Sequence, residues 1–294
     1  MVEFNAKLPR PDEALDNAAS ARWWQENPML YDWDREFGEP RLTSEYFEKI
    51  DRPFGEGHRL CNNPRWPQGL ILENFIPYAE LRDKRVLEIG CGAGLVASHL
   101  AKSGAQLTAI DLTPQAVQRT KMRFELAGLQ GDIRQMDAEK LALADRSFDC
   151  VVSWGVIHHS GNMKAAVGEI HRVLKPGGKA YVMVYNRDSL RYRVYCPLWL
   201  GIVRAQLLRR NLATIAGSIT DGFFARYLTE REFRDLSAAF SDVRFSYSDE
   251  VNTATGYLLG PLHRLVKPGS RARERLDRWL ARRWGWYMQA VLTR

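Results

Sequence analysis

From Arg85 onward, short apolar runs alternate with stretches of helical periodicity. Arg85-Val86-Leu87-Glu88-Ile89-Gly90 reads as a short buried strand, Leu95 to Lys102 as helix and Gln106 to Asp111 as strand again. Thr113 then supplies a cap and Pro114 a first helical residue for a long helix through Ala127. Ser147 to Ser153 reads as strand, and Met163 to Leu174 as a helix stopped by Pro176-Gly177-Gly178. Lys179 to Asn186 is strand, Thr229 to Phe240 amphipathic helix, Asp242 to Ser248 an alternating strand, and the run around Trp284 to Thr293 the last strand. Strands alternating with helices imply right-handed crossovers and a mostly parallel sheet covered on both faces, a doubly wound α/β fold.

Outside this alternation the chain changes character. Residues 1–81 mix aromatic residues (Trp23, Trp24, Tyr31, Trp33, Tyr46, Phe47) with turn formers such as Asn27-Pro28, Arg52-Pro53 and Asn63-Pro64, and read as a helical and looped cap. The core then spans 82–294, with insertions at 188–228 and 250–283 placed over the site. Within the first insertion Leu198, Ile202, Ala205, Leu208, Leu212 and Ile215 recur at three- and four-residue spacing while Arg204, Arg209 and Arg210 face elsewhere, which predicts an amphipathic helix. Such a helix packs on its own core, closes as a lid over an apolar substrate, or lies on a membrane surface.

Composition narrows the setting. Of the 294 residues 45% are hydrophobic and 26% charged, the balance of a soluble globular protein. Cys61, Cys91, Cys150 and Cys196 are scattered without metal-ligand or disulfide-framework spacing, so a reducing cytoplasmic location and no metal site are expected. The N-terminus lacks the basic-then-apolar order of an export signal, and the longest apolar run, Val194 to Val203, is half what a membrane span needs and contains Pro197. The net charge of +7 is local, with nine basic against two acidic residues from Arg264 to Arg294. That cluster reads as a solvated helix face, with phosphate or anionic lipid as the alternative partner.

The chemistry starts at Val86-Leu87-Glu88-Ile89-Gly90-Cys91-Gly92-Ala93-Gly94, a buried strand running into closely spaced glycines and then a helix. In doubly wound sheets ligands sit at the carboxyl ends of the strands, where glycines let backbone approach them. In dinucleotide-binding loops the third small residue falls three positions after the second; here that position is Leu95, and Gly94 comes two after Gly92. Asp111 ends the next strand, where a carboxylate can accept hydrogen bonds from both hydroxyls of a ribose.

Together these segments resemble the first two motifs of the class I S-adenosylmethionine-dependent methyltransferases. The resemblance continues through Met136-Asp137-Ala138, Ser147-Phe148-Asp149 and Arg172-Val173-Leu174-Lys175-Pro176-Gly177-Gly178. It implies a Rossmann-like doubly wound sheet with its last strand antiparallel and helical cap insertions. The cofactor it implies is S-adenosyl-L-methionine. Gly90, Cys91, Gly92 and Gly94 would lie around the methionine part, Asp111 on the ribose, Leu112 against adenine, Asp137 with Ala138 at the adenine edge, and Ser153 beside them. Glu88 either braces the loop or reaches the methionyl amine.

Methyl transfer from a sulfonium asks mainly for positioning, with nucleophile and methyl held at about 3 to 3.5 Å. A base helps when the acceptor carries a proton. The fourth strand ends in Ser153-Trp154-Gly155-Val156-Ile157-His158-His159-Ser160, and in the family this loop runs beside the transferred methyl. His158 and His159 are therefore the candidate bases, with no ground for choosing between them; alternatively they bond to backbone or cap the Met163 helix. The loop is similar to that of small-molecule methyltransferases with a G-V-L/I-H-H signature and a Y-x-x-x-S run, here Tyr185 to Ser189. It lacks the Pro-Pro motif of amino-group nucleic-acid enzymes, and Cys196-Pro197 reverses the Pro-Cys of the cytosine-C5 type. Gly155 and His158 stand where ubiquinone O-methyltransferases and cyclopropane synthases carry acids, which argues against a metal-assisted or carbocation mechanism.

The expected reaction is methylation of O, S or N of a small, partly apolar metabolite, with no nucleic-acid partner and with transient contact to a membrane surface. The pocket is expected from Trp154 and Tyr185, roofed by Trp24 and Tyr31 or by Tyr192. The alternatives are an RNA methyltransferase using the basic C-terminal region, a quinone or lipid methyltransferase at the membrane surface, and a cofactor-holding protein without turnover.

Overall fold

Strand–helix alternation is what the computed structural model displays from Arg85 onward; the residues it describes are 15, 17–27, 42–220, 222, 224–250, 253–265 and 270–294. Two helices come first, α1 (Asn17–Glu26) and α2 (Ser44–His58). There follow β1 (Arg85–Ile89), α3 (Leu95–Lys102), β2 (Gln106–Asp111), α4 (Pro114–Ala127), β3 (Asp132–Gln135), β4 (Phe148–Trp154), α5 (Met163–Val173) and β5 (Leu174–Asn186). The remainder is α6 (Leu212–Gly217), β6 (Tyr227–Leu228), α7 (Glu230–Leu236), β7 (Asp242–Ser248), α8 (Ala254–Leu259), α9 (Arg271–Trp284) and β8 (Tyr287–Thr293).

The sheet runs β3-β2-β1-β4-β5-β8-β7, with β6 pairing beside β5. β1 to β6 pair in parallel, and β8 inserts antiparallel between β5 and β7. The order reverses between β1 and β4, which opens the crevice where doubly wound sheets take their ligands.

Pleating sends alternate residues of each strand to opposite faces. Leu87, Ile89, Val151 and Val182 pack under α5 and α7 with Met163, Ile170 and Phe233. Val86, Leu107 and Val152 pack on the other face with Val96, Leu100 and Phe124 of α3 and α4. Each such side chain contributes about 1.5–3 kcal/mol on full burial. The expected cap of α4 is present, the Thr113 hydroxyl accepting from Ala116 N (3.4 Å) with Pro114 behind it; Thr229 and Glu232 also form a reciprocal capping box on α7.

The single amphipathic helix expected from Leu198 to Ile215 is replaced by three pieces. Arg191–Val203 winds as a π-helix, with Arg204 N donating to Trp199 O five residues back (3.2 Å). Ala205, at φ 53°, ends it, and a short 3-10 turn (Gln206–Leu208) precedes α6. The wider winding takes the apolar positions off a common stripe. Cys196, Leu200 and Ile215 are buried, whereas Ile202 (65%), Val203 (56%) and Leu208 (85%) stay exposed.

β3 is implied by counting the strand that ends at Trp154 as the fourth but takes no range from the sequence pattern, because it carries one apolar residue, Ile133, at the sheet edge; β6, two residues long, is not anticipated. All four cysteines are buried and free. Among the described residues no helix is long and apolar enough to cross a membrane.

Candidate active site

The glycine loop is anchored to the neighbouring strand, since Gly90 N and Cys91 N both donate to Ile110 O (2.8 and 3.0 Å). Gly90, Gly92 and Gly94 all have positive φ, but for different reasons. A Cβ on Gly90 would stand 2.2 Å from Val156 Cγ2, and one on Gly94 would press on Thr120 at 3.0 Å. A Cβ on Gly92 would meet nothing within 4 Å; there the backbone faces open space. Behind the loop Arg123 donates to Ala93 O (2.7 Å) and to both oxygens of Asp51 (2.7 and 2.8 Å), tying α2 and α4 to it.

Asp111 closes the other side of this cradle. Its Oδ2 accepts from Gly92 N (3.0 Å), and its Oδ1 from the backbone N–H and hydroxyl of Thr113 (3.0 Å each). A carboxylate has about four acceptor positions, so capacity remains for a ligand donor. Burial raises the pKa of Asp111 while the Thr113 and Gly92 bonds oppose the rise. Glu88 is buried beside it with Oε2 unpartnered; burial, and then the charge of Asp111, push its pKa up to about 8. Three carboxylates, Glu88, Asp111 and Asp137, thus line one end of the cavity. An open glycine backbone, spare acceptor sites and an orphaned carboxyl oxygen suit a cationic cofactor bearing a ribose diol and amino groups, so the residues present fit S-adenosylmethionine.

The cradle opens into a single cavity of about 440 Å³ that extends past the ends of β4, β5 and β8. Its far end is aromatic. Tyr185 pairs across the sheet with Tyr227 and with Tyr287, and it stacks on Trp286 with centroids 4.6 Å apart. Trp154 lies 5.4 Å from the His58 ring and 5.9 Å from that of Tyr287.

The structure brings most of the anticipated residues to this cavity. Gly90, Cys91, Gly92, Leu112, Asp137 and Ala138 line the cradle with Glu88 and Asp111, and Trp24, Trp154, His159 and Tyr185 line the chamber. Asp137 is already engaged, accepting from Asn17 of α1 (2.9 Å) and from Glu139 N (2.9 Å). Gly94, Ser153, His158 and Tyr192 are not in the wall. Gly94 starts α3, Ser153 is sealed within β4, and Tyr192 packs on Tyr227 (5.2 Å). Tyr31 lies outside the described residues.

The two histidines separate clearly. His158 is fully buried, its two ring nitrogens have no partner, and its ring is sandwiched at 4.1 Å from both His159 and Tyr185. His159 lines the cavity and bonds through Nδ1 to Phe224 O (2.7 Å), which assigns the proton to Nδ1 and the lone pair to Nε2. Neither caps α5, which Asn162 does, accepting from Ala165 N (3.0 Å). Burial lowers the His159 pKa to about 4, with the Phe224 bond opposing, and burial lowers that of His158 well below the usual value.

Four further wall residues carried no sequence signal: His58, Arg191, Glu250 and Trp286. They lie in unrelated segments and meet only in the fold. His58, the last residue of α2, is lowered to about 4 by burial, against the raising effect of Glu250, and Glu250 accepts from the Tyr287 hydroxyl (2.7 Å).

Residues 87–182 match the family model described as a methyltransferase domain. The chain is 36% identical over 245 residues to a ubiquinone biosynthesis O-methyltransferase of Cereibacter sphaeroides (strain ATCC 17029), covering 80% of this chain and 83% of that protein. It is 35% identical over 142 residues to one of Xanthomonas euvesicatoria pv. vesicatoria (strain 85-10), where 48% of this chain matches 57% of the relative; the match thus spans little more than half of that protein's length. The crystal structure of the cyclase SpnF superimposes over 98% of both chains at 17% identity with a TM-score of 0.52, which shows a shared fold.

Proposed function

The chain belongs to the class I S-adenosylmethionine-dependent methyltransferases, and from that premise we propose that it methylates oxygen, sulfur or nitrogen of a small, partly apolar metabolite. The observation that carries this reading is the continuity of the cavity, which joins the carboxylate-lined glycine cradle to an aromatic chamber with a histidine in its wall. S-adenosylmethionine, when bound, supplies a methyl carbon made electrophilic by the sulfonium charge. Gly90 to Gly92 would hold its methionine part, Asp111 its ribose, and Leu112 with Asp137 and Ala138 its adenine. Asp111 provides negative charge there, and a cation bound beside Glu88 would draw its raised pKa back down.

His159 is the base in this reading. Its Nε2 takes the acceptor proton while Nδ1 keeps its bond to Phe224 O, which holds ring and tautomer in place. A base lowered to about 4 is neutral at pH 7 but weak. It therefore favours acceptors whose proton is acidic, phenols and thiols, over aliphatic alcohols. Trp24, Trp154 and Tyr185 exclude water and offer flat apolar surface to the acceptor.

The fold alone does not decide the reaction, since a cyclase shares it. Incubating the protein with S-adenosylmethionine labelled in the methyl group and a metabolite extract is the test. Label in a small-molecule product is expected. Label in RNA supports the nucleic-acid alternative instead, and cofactor binding without any labelled product identifies a binding protein.

A second reading, an acceptor drawn from a membrane as a quinone or lipid, is favoured by the exposed Ile202, Val203 and Leu208 beside Arg204, Arg209 and Arg210. Co-flotation with anionic vesicles, abolished by Leu208→Asp, is its expected sign.

A further inference from the structure

Arg191 opens the π-helix after β5 and stands in the wall of the aromatic chamber. The residue is half-buried and its Nε is sealed from solvent. Its guanidinium lies 4.0 Å from the Trp286 ring centroid and 5.7 Å from that of Tyr257. One terminal nitrogen donates to the Ile219 carbonyl, and Nε has no partner. The neighbouring arginines are paired, Arg187 with Glu232 and Arg193 with Asp188. Among the described residues no carboxylate forms an ion pair with Arg191; Glu250, in the same wall, accepts from the Tyr287 hydroxyl instead.

A guanidinium keeps its charge at any working pH, so one lining a cavity with no carboxylate paired to it among the described residues suits an anion. The aromatic faces around it compensate only part of the charge. His159 and Arg191 flank one platform: His159 lies 5.7 Å from Tyr185, Tyr185 stacks on Trp286 at 4.6 Å, and Trp286 carries the guanidinium. Trp286 precedes β8, three strand positions from β1, or about 14 Å at the usual strand spacing, which sets Arg191 apart from the glycine loop.

We infer that the acceptor is an organic carboxylate with a flat apolar body, whose carboxylate pairs with Arg191 while its nucleophilic atom is presented to His159. The inference rests on the methyltransferase reading above. Arg191 acts as a specificity residue: it anchors one end of the acceptor and takes no part in proton transfer. A planar carboxylate matches the fork of a guanidinium in two parallel hydrogen bonds, a geometry that a neutral amide cannot reproduce.

The test uses the full chain saturated with S-adenosylhomocysteine, with 4-hydroxybenzoate and 4-hydroxybenzamide as probes, followed by calorimetry. The acid should bind at least about tenfold more tightly than the amide, and Arg191→Met should abolish the difference while S-adenosylhomocysteine affinity stays within about twofold. Arg191→Lys should retain part of the preference. Equal affinity for acid and amide, or no binding of either, overturns the inference even if the variants fail to fold. A loss of S-adenosylhomocysteine affinity in Arg191→Met that matches the loss of acid binding also overturns it, because Arg191 then serves the cofactor. Absence of labelled product from any metabolite extract is a separate result and falls on the methyltransferase reading.

Discussion

The cradle end of the cavity draws its glycine loop and Asp111 from one strand–helix–strand unit, whereas the chamber end gathers His58, Trp154, Tyr185, Arg191, Glu250 and Trp286 from segments spread along the whole chain. The cradle is held by the backbone bonds of Gly90 and Cys91 to Ile110 and by the bond of Gly92 N to the Asp111 carboxylate, so its shape depends on few side chains. The chamber is held by ring packing, which a change of one residue can reshape. A fixed cofactor end and an adjustable acceptor end are what one fold needs to serve many acceptors.

The largest effect should come from the chamber. His159→Gln is expected to lower kcat by about 10²- to 10⁴-fold with cofactor affinity unchanged, as loss of a general base does. His158→Phe removes a buried imidazole whose ring nitrogens have no partner, so it should leave kcat within about threefold and stability equal or higher. Single-turnover kinetics and thermal unfolding separate the two; equal damage from both would remove the distinction drawn between them.

At the cradle, Asp111→Ala should weaken S-adenosylhomocysteine binding by roughly 10- to 100-fold in calorimetry, the worth of a charge-assisted hydrogen bond. Unchanged affinity would show that Asp111 serves only Gly92 and Thr113.

Acid sensitivity supplies the third check. With His159 lowered to about 4, its neutral form is the active one and the acid limb of kcat/KM should fall near pH 4, not near 6.5. The same shift makes the folded state bind fewer protons than the unfolded one between those values, so its stabilising contribution is present above pH 6.5 and lost as pH falls toward 4. His159→Gln should flatten that slope by up to about 1.4 kcal/mol per pH unit.

The cradle was legible in sequence because local spacing encodes it. Glycines adjacent to a strand, and an acid ending the next one, stay neighbours in any doubly wound sheet. The chamber was legible where it borders that unit, at Trp154, His159 and Tyr185, and at Trp24 of the aromatic N-terminal segment. His58 and Arg191 sit in segments whose local pattern carries no chemistry, and their meeting depends on tertiary packing. The choice between His158 and His159 turned on which ring faces the cavity, a matter of the turn Ile157–His159 that residue spacing does not encode. Leu198 to Ile215 misled because apolar residues three and four apart fit an unbroken α-helix, whereas the chain winds as a π-helix to Val203 and breaks at Ala205.

The smallest effect belongs to the outer rim of the first insertion. Leu208→Ser should change stability by no more than about 0.5 kcal/mol in denaturant unfolding, since the side chain is 85% exposed and contributes little to either end of the cavity.

The central claim is that one cavity brings cofactor and acceptor together in front of His159. A crystal structure of the S-adenosylhomocysteine complex tests it most directly. The account predicts the sulfur facing the chamber with His159 Nε2 within about 10 Å, near enough to reach the proton of an interposed acceptor. A sulfur facing open solvent, or His159 beyond that reach, would contradict it.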